Sequence, residues 1–103
     1  MKQESSVAVQ DVVNERRRQI EVECFSAEND DKLIDCQLAC AAACYAMCDT
    51  QKHLNEFTIM GVPIWPWGPV WWRSTTYRQN LVKAAALLIA EIERIDRKDR
   101  IQK

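Results

Sequence analysis

Ten residues of this chain, PIWPWGPVWW (63–72), hold all three prolines and all four tryptophans of its 103 residues. Prolines 63, 66 and 69 remove three backbone donors and hold the segment extended, so it cannot be a helix. Its rings sit on a stiff connector that either caps a core or forms an aromatic wall for a ligand or partner. Indole faces stack on nucleobases, and arginine adds stacking or phosphate pairing. Arg73 follows directly and Arg78 lies one turn into the next predicted helix, whose N-terminal N–H groups suit phosphate. Trp65, Trp67, Trp71, Trp72, Arg73 and Arg78 therefore make a candidate pocket for a small nucleotide-like ligand. The competing reading is that the tryptophans plug the open end of a helix bundle.

Two further sets of residues carry chemical potential. Asp30 and Asp31 are read first as a cap for the second predicted helix, and otherwise as acceptors for ribose hydroxyls or a base edge. Arg16, Arg17 and Arg18 form the densest basic run. It reads as a solvated helix face balanced by Glu15, Glu21 and Glu23, with Arg17 or Arg18 as reserve phosphate ligands. Cys36, Cys40, Cys44 and Cys48 repeat every four residues and form a drifting row on one helix. Metal sites usually draw ligands from two segments, and no paired CxxC elements occur here. His53 is out of helical register with Cys48. The row reads as small side chains where another helix approaches closely, with no metal and no cofactor expected.

The elements that must position these groups are helical. Ser5 or Ser6 caps a first helix over about 6–23, with Val9, Val12, Val13 and Ile20 as its apolar stripe. CFSAENDDK (24–32) is a loop. The second helix covers about 34–49, with Asp35 or Asp31 serving its N-terminus. Its body, LACAAACYAMC, is apolar nearly all round, so it belongs at the centre of the fold or in a subunit seam. Residues 50–73 form a long connector with room for a helical turn over 51–60. Ser74, Thr75 or Thr76 caps a third helix reaching about residue 99. Leu81, Ala85, Leu88, Ile92 and Ile95 make its stripe, widened by Val82 and Ile89. The expected architecture is all-α, with three main helices and an ordered Trp/Pro-rich connector. It is a single domain over 1–103, frayed at 1–5 and 100–103, in a homodimer or larger ring that buries the second or third helix.

A net charge of −1 gives no electrostatic case for long nucleic acid. No apolar run approaches the roughly 18 residues of a membrane span and no leader pattern is visible, so a cytoplasmic protein with reduced thiols is expected. No Ser/His/Asp set, glycine-rich phosphate loop or HExxH is present. ExxD occurs twice, at 28–31 and 93–96. It resembles half of the Mg²⁺ signature of pyrophosphohydrolases of the MazG type, but the EExxE half is missing.

Three segments taken together resemble a family of small phage and prophage proteins of unassigned function. They are ERRRQIEVE (15–23) running into FSAENDD (25–31), then WPW and WW, then RQNLVKAAALLIAEIERIDR (78–97). In that family glycine usually stands at the positions of Cys24 and Cys36, and histidine at that of Asn29. A fainter similarity, carried by Phe25 and the Asp30-Asp31 pair, is to the ryanodine-receptor-type repeat. The resemblance implies an accessory protein of the host cytoplasm that acts by binding. The expectation is a non-enzymatic, homo-oligomeric sponge for a small nucleotide-derived signal, with Phe25 beside the ligand. A module that inhibits a host protein through exposed tryptophans is the first alternative, and a Mg²⁺-dependent nucleotide hydrolase the second.

Overall fold

The computed structural model describes residues 5–23, 26–47 and 58–102, with residues 101 and 102 described by backbone only. Helices α1 (Val7–Glu21), α2 (Ala27–Asp30), α3 (Gln37–Met47) and α4 (Tyr77–Gln102) dominate. A two-stranded antiparallel hairpin, β1 (Thr58–Ile59) and β2 (Val62–Pro63), precedes a 3-10 turn at Pro69–Trp71. The fold is mostly helical. The hairpin corrects the strand-free reading, and α2 adds a helical turn inside the segment read as a loop. Its two-residue tip, Met60-Gly61, has positive φ at both positions (53° and 79°), the backbone of a primed hairpin turn. The tip occupies the end of the 51–60 segment expected as a helical turn; residues 51–57 lie outside the described residues, as do Cys24, Phe25, Cys48 and His53.

Helix ends follow side-chain chemistry. The Ser6 hydroxyl accepts from the Val9 N–H at 3.1 Å, and Thr76 Oγ1 accepts from the Gln79 N–H at 3.1 Å. Helix α3 starts at Gln37, three residues later than the periodicity suggests, and neither Asp31 nor Asp35 caps it. The reason is Cys36, which sits at φ 64° and whose carbonyl accepts from the Cys40 N–H. That left-handed geometry suits glycine, so a cysteine here carries some backbone strain.

Helix α4 is the spine, packing against α1, α2 and α3. Tyr45 near the end of α3 meets Arg73 and Lys83 near the start of α4, so these two helices run antiparallel. Leu38, Ala41, Ala42 and Tyr45 form the core with Ala84, Leu87 and Ala90. Alanine on both sides permits close backbone approach, and Leu38 and Leu87 supply the bulk. Among the described residues, Cys36, Cys40 and Cys44 are not members of this alanine and leucine cluster. A step of four residues drifts around the helix, taking the row from exposed Cys36 through half-buried Cys40 to buried Cys44. Cys44 packs under Ile64, Trp65 and Trp72.

Helix α1 lies across α4. The ion pairs Asp11–Arg78 (2.9 Å) and Arg16–Glu93 (3.0 Å) join five residues of α1, about 7 Å of rise, to fifteen residues of α4, about 22 Å. Its inward face is polar: Glu15, Arg16 and Gln19 are buried while Val9, Val13 and Ile20 are exposed. This corrects the reading of the arginine run as a solvated face, which holds only for Arg17. Arg16 faces inward because it bridges Asp30, wholly buried on α2, to Glu93 on α4. A third correction concerns α4, whose buried face is Asn80, Val82, Lys83, Ala84, Ala86, Leu87 and Ala90, whereas Leu81, Leu88, Ile92 and Ile95 are exposed.

Two outcomes follow from these placements. Arg16→Met leaves the Asp30 carboxylate buried without its cation and lowers unfolding free energy by roughly 3–5 kcal/mol in urea titration, whereas exposed Arg17→Met stays within about 0.5 kcal/mol. Cys36→Gly relieves the left-handed strain and raises stability by about 0.5–1 kcal/mol in the same assay, whereas Cys40→Gly, inside the helix, lowers it by about 1 kcal/mol.

Candidate functional site: an aromatic and arginine-lined cleft

The connector folds back on the core because its rings fit one another. Trp72 stacks on Tyr45 with centroids 4.6 Å apart and planes at 20°. Trp65 stands edge-on to Trp72 (4.9 Å), Trp67 (5.4 Å) and Tyr45 (5.7 Å). Both arrangements are favoured by the ring quadrupole. The Trp65 indole N–H donates to the Gly68 carbonyl at 3.1 Å, and the Trp71 N–H donates to that same oxygen at 3.0 Å, closing the 3-10 turn. Three of the four tryptophans therefore plug the bundle end. Trp71 does not: 57% of it is exposed. Pro69 opens the turn that throws it outward.

The next residues are pinned by their backbone. The Arg73 N–H donates to the Tyr45 hydroxyl at 3.0 Å, and Lys83 Nζ donates to the Arg73 carbonyl. The Thr75 N–H donates to Asn80 Oδ1, and Asn80 Nδ2 donates to Ser74 Oγ, each at 3.0 Å. The Arg73 guanidinium remains on the exposed surface and makes no ion pair among the described residues.

Between this pinned segment and α1 lies an open cleft of about 970 Å³. Trp71, Trp72, Arg73, Ser74 and Thr75 line one side. Glu15, Arg18, Val22 and Glu23 line the other, with Gln79 and Lys83 contributed by α4. Arg18 binds Glu15 through two parallel hydrogen bonds (2.8 and 2.7 Å) and Glu23 through a third (3.0 Å). These bonds, the Glu15 one foremost, push its pKa up, so the cation is fixed in place and in charge. Three cations (Arg18, Arg73, Lys83) face two carboxylates (Glu15, Glu23), which leaves the lining with one net positive charge. Burial pushes the Lys83 amine below the ordinary lysine range, and burial pushes the Tyr45 phenol up to about 12.

The cleft gathers Trp71, Trp72, Arg73 and Arg18 from the residues singled out in the sequence. Trp65 stands behind them in the plug, and Trp67, packed there too, also lines a smaller hollow beside the cleft with Trp71, Arg73 and Arg18. Arg78 is outside the lining and pairs with Asp11. Asp30 and Asp31 lie elsewhere, held by Arg16 (3.3 Å) and Arg97 (2.7 Å). Burial raises the Asp30 pKa against the opposing pull of Arg16. Arg17 is exposed away from the lining. The α4 N-terminus is partly spoken for, since Thr76 already accepts from the Gln79 and Asn80 N–H groups. Of the ExxD carboxylates, Glu93 faces Arg16 and Asp31 faces Arg97, and no group of three or more His, Cys, Asp or Glu side chains converges among the described residues.

Sequence reasoning missed Tyr45 and Lys83, which hold the Arg73 backbone, and Glu15 and Glu23, which hold Arg18. Lys83 carried a readable signal: it is the lone charge in LVKAAALLIA (81–90), four residues before buried Leu87 and on the same face. Among the described residues no helix is long and apolar enough to cross a membrane. No protein-family model, curated protein or solved structure matches the chain.

The Tyr45 shift has a measurable sign. From the ordinary value of 10 up to about 12 the unfolded phenol is ionised and the folded one is not, so stability falls as pH rises through that window. Urea titrations across it show a loss approaching ~1.4 kcal/mol per pH unit relative to Tyr45→Phe, which lacks the titrating group. At neutral pH that variant is about 1 kcal/mol less stable, because the Arg73 N–H loses its acceptor.

Proposed function

We propose that this protein is a non-enzymatic binder of a small nucleotide-like ligand, taken up in the cleft beside Trp71. One observation carries the reading: an exposed indole stands two residues from an arginine whose N–H and carbonyl are both anchored. A base stacks on Trp71 and the Arg73 fork takes phosphate. Arg18, held by Glu15 and Glu23, adds a second fixed cation across the opening. Glu23 offers acceptor oxygens for sugar hydroxyls, the task expected of Asp30 and Asp31. The anchored backbone leaves chiefly the Trp71 and Arg73 side chains to be ordered on binding.

The biological setting follows the resemblance to small phage and prophage proteins. In that setting the protein is an accessory factor of the host cytoplasm that sequesters a nucleotide-derived immune signal, as an assembly of identical subunits. A second reading draws on Val70, which is exposed beside Trp71. Adjacent exposed apolar side chains of this kind also anchor protein partners.

Mass spectrometry of small molecules released by heating protein purified from cells tests the first reading directly. A nucleotide recovered intact supports it, and recovery only of hydrolysis products overturns it. Thermal shift against cyclic and linear nucleotides then gives a rise of several degrees with a tight ligand. Trp71→Ala abolishes the shift and leaves the ligand-free melting point within about 2 °C, whereas Trp72→Ala lowers that melting point by unstacking Tyr45. A Trp71→Ala protein that keeps its full nucleotide shift rules out the cleft as the site.

A further inference from the structure

The exposed side of α4 is not an ordinary solvent face. Tyr77, Leu81, Leu88, Ile92 and Ile95 are 51%, 39%, 47%, 57% and 42% exposed. From Leu81 onward, with half-buried Ala85, the steps are four, three, four and three. At 100° per residue these positions fall in one stripe, turned away from the face that meets α3 and α1. This is the a/d spacing of a two-helix seam, running for about 27 Å, and among the described residues nothing covers it.

We propose that this stripe is the interface of a homodimer in which two copies of α4 pack antiparallel. The proposal does not rest on the ligand of the cleft. Size matching selects the direction. In the antiparallel register Tyr77 meets the partner's Ile95, Leu81 meets the partner's Ile92, and small Ala85 receives the partner's Leu88. A parallel register sets Ala85 against itself and leaves a gap between two leucine layers. Charge selects the same direction. Arg78 and Asp96 lie on the same edge of the stripe, so antiparallel pairing sets Asp96 of each copy opposite Arg78 of the other, twice by symmetry, where it shares that guanidinium with Asp11 of the same chain as the arginine. In the parallel register Arg78 meets the opposite edge, where Tyr77 and Ala84 stand.

Sedimentation velocity on the full chain at micromolar to submillimolar concentration tests this. The wild type sediments as a dimer, twice its 12.0 kDa mass. Leu88→Asp sediments as a monomer with unchanged far-UV circular dichroism. In an Asp11→Asn background, which removes the own-chain partner of Arg78, Arg78→Asp weakens the dimer about tenfold, and adding Asp96→Arg restores it. Should Leu88→Asp misfold, the charge-swap pair decides. A monomeric wild type, a Leu88→Asp dimer, or a double swap no tighter than the single change overturns the proposal. Association that grows beyond two copies also overturns it, because this pairing is closed.

Discussion

A buried guanidinium holds this molecule together. Arg16 leaves α1 pointing inward and meets a wholly buried carboxylate on α2 and a second carboxylate on α4. Neither charge tolerates that environment alone. Burial pushes the Asp30 proton affinity up, Arg16 pulls it down, and their proximity makes both acceptable. The pair fixes where α1 crosses α4, and the rest follows from that crossing. Glu15 and Gln19 turn into the interior, Arg18 and Glu23 come to rest opposite the connector, and the cleft exists because one helix lies across the spine instead of along it.

The connector answers a different constraint. Three prolines deny it helical hydrogen bonds, so it must find its stability in ring packing and a few backbone anchors. Trp65, Trp67 and Trp72 meet that need by closing over Tyr45 and Cys44. Tyr45 serves both sides at once, giving its ring face to Trp72 and its hydroxyl oxygen to the Arg73 N–H. Only Trp71 is spare. The sequence posed plug and pocket as rivals; in the fold Trp65, Trp67 and Trp72 pack on the core while Trp71 stands exposed, and Trp72 also lines the cleft.

What could be read in advance, and what could not, separates along physical lines. Helical content, the extent of α1, the start of α4 and sets of cap candidates that include Ser6 and Thr76 were legible because period and caps are local signals, whereas α4 runs on to Gln102, into the segment expected to fray. The orientation of α1 was not. Its valines form a regular stripe that points outward, because the tertiary partner of this helix is a set of charges and amides that hydrophobic periodicity cannot detect. Helix α4 misled in a related way. It carries two apolar faces, one of alanines that pack inside the subunit and one of leucines and isoleucines that do not, and the larger side chains drew attention to the wrong one. At the cleft, Trp71 and Arg73 were legible from type and spacing alone. Arg78 was not excluded, since its partner Asp11 lies on another helix, and the acidic pair at 30–31 looked like ligand chemistry while serving as clasps for Arg16 and Arg97.

The cluster of Trp65, Trp67 and Trp72 has a spectroscopic consequence. Trp65 lies about 5 Å, centroid to centroid, from each of Trp67 and Trp72 with near-perpendicular planes, and such pairs couple their electronic transitions. The aromatic region of the dichroism spectrum is thereby tied to closure of the connector, while the solitary indole at position 71 emits to the red and answers to whatever touches it. The protein thus carries two separate optical reporters, one for the integrity of its plug and one for the surroundings of its exposed indole, without any label being attached.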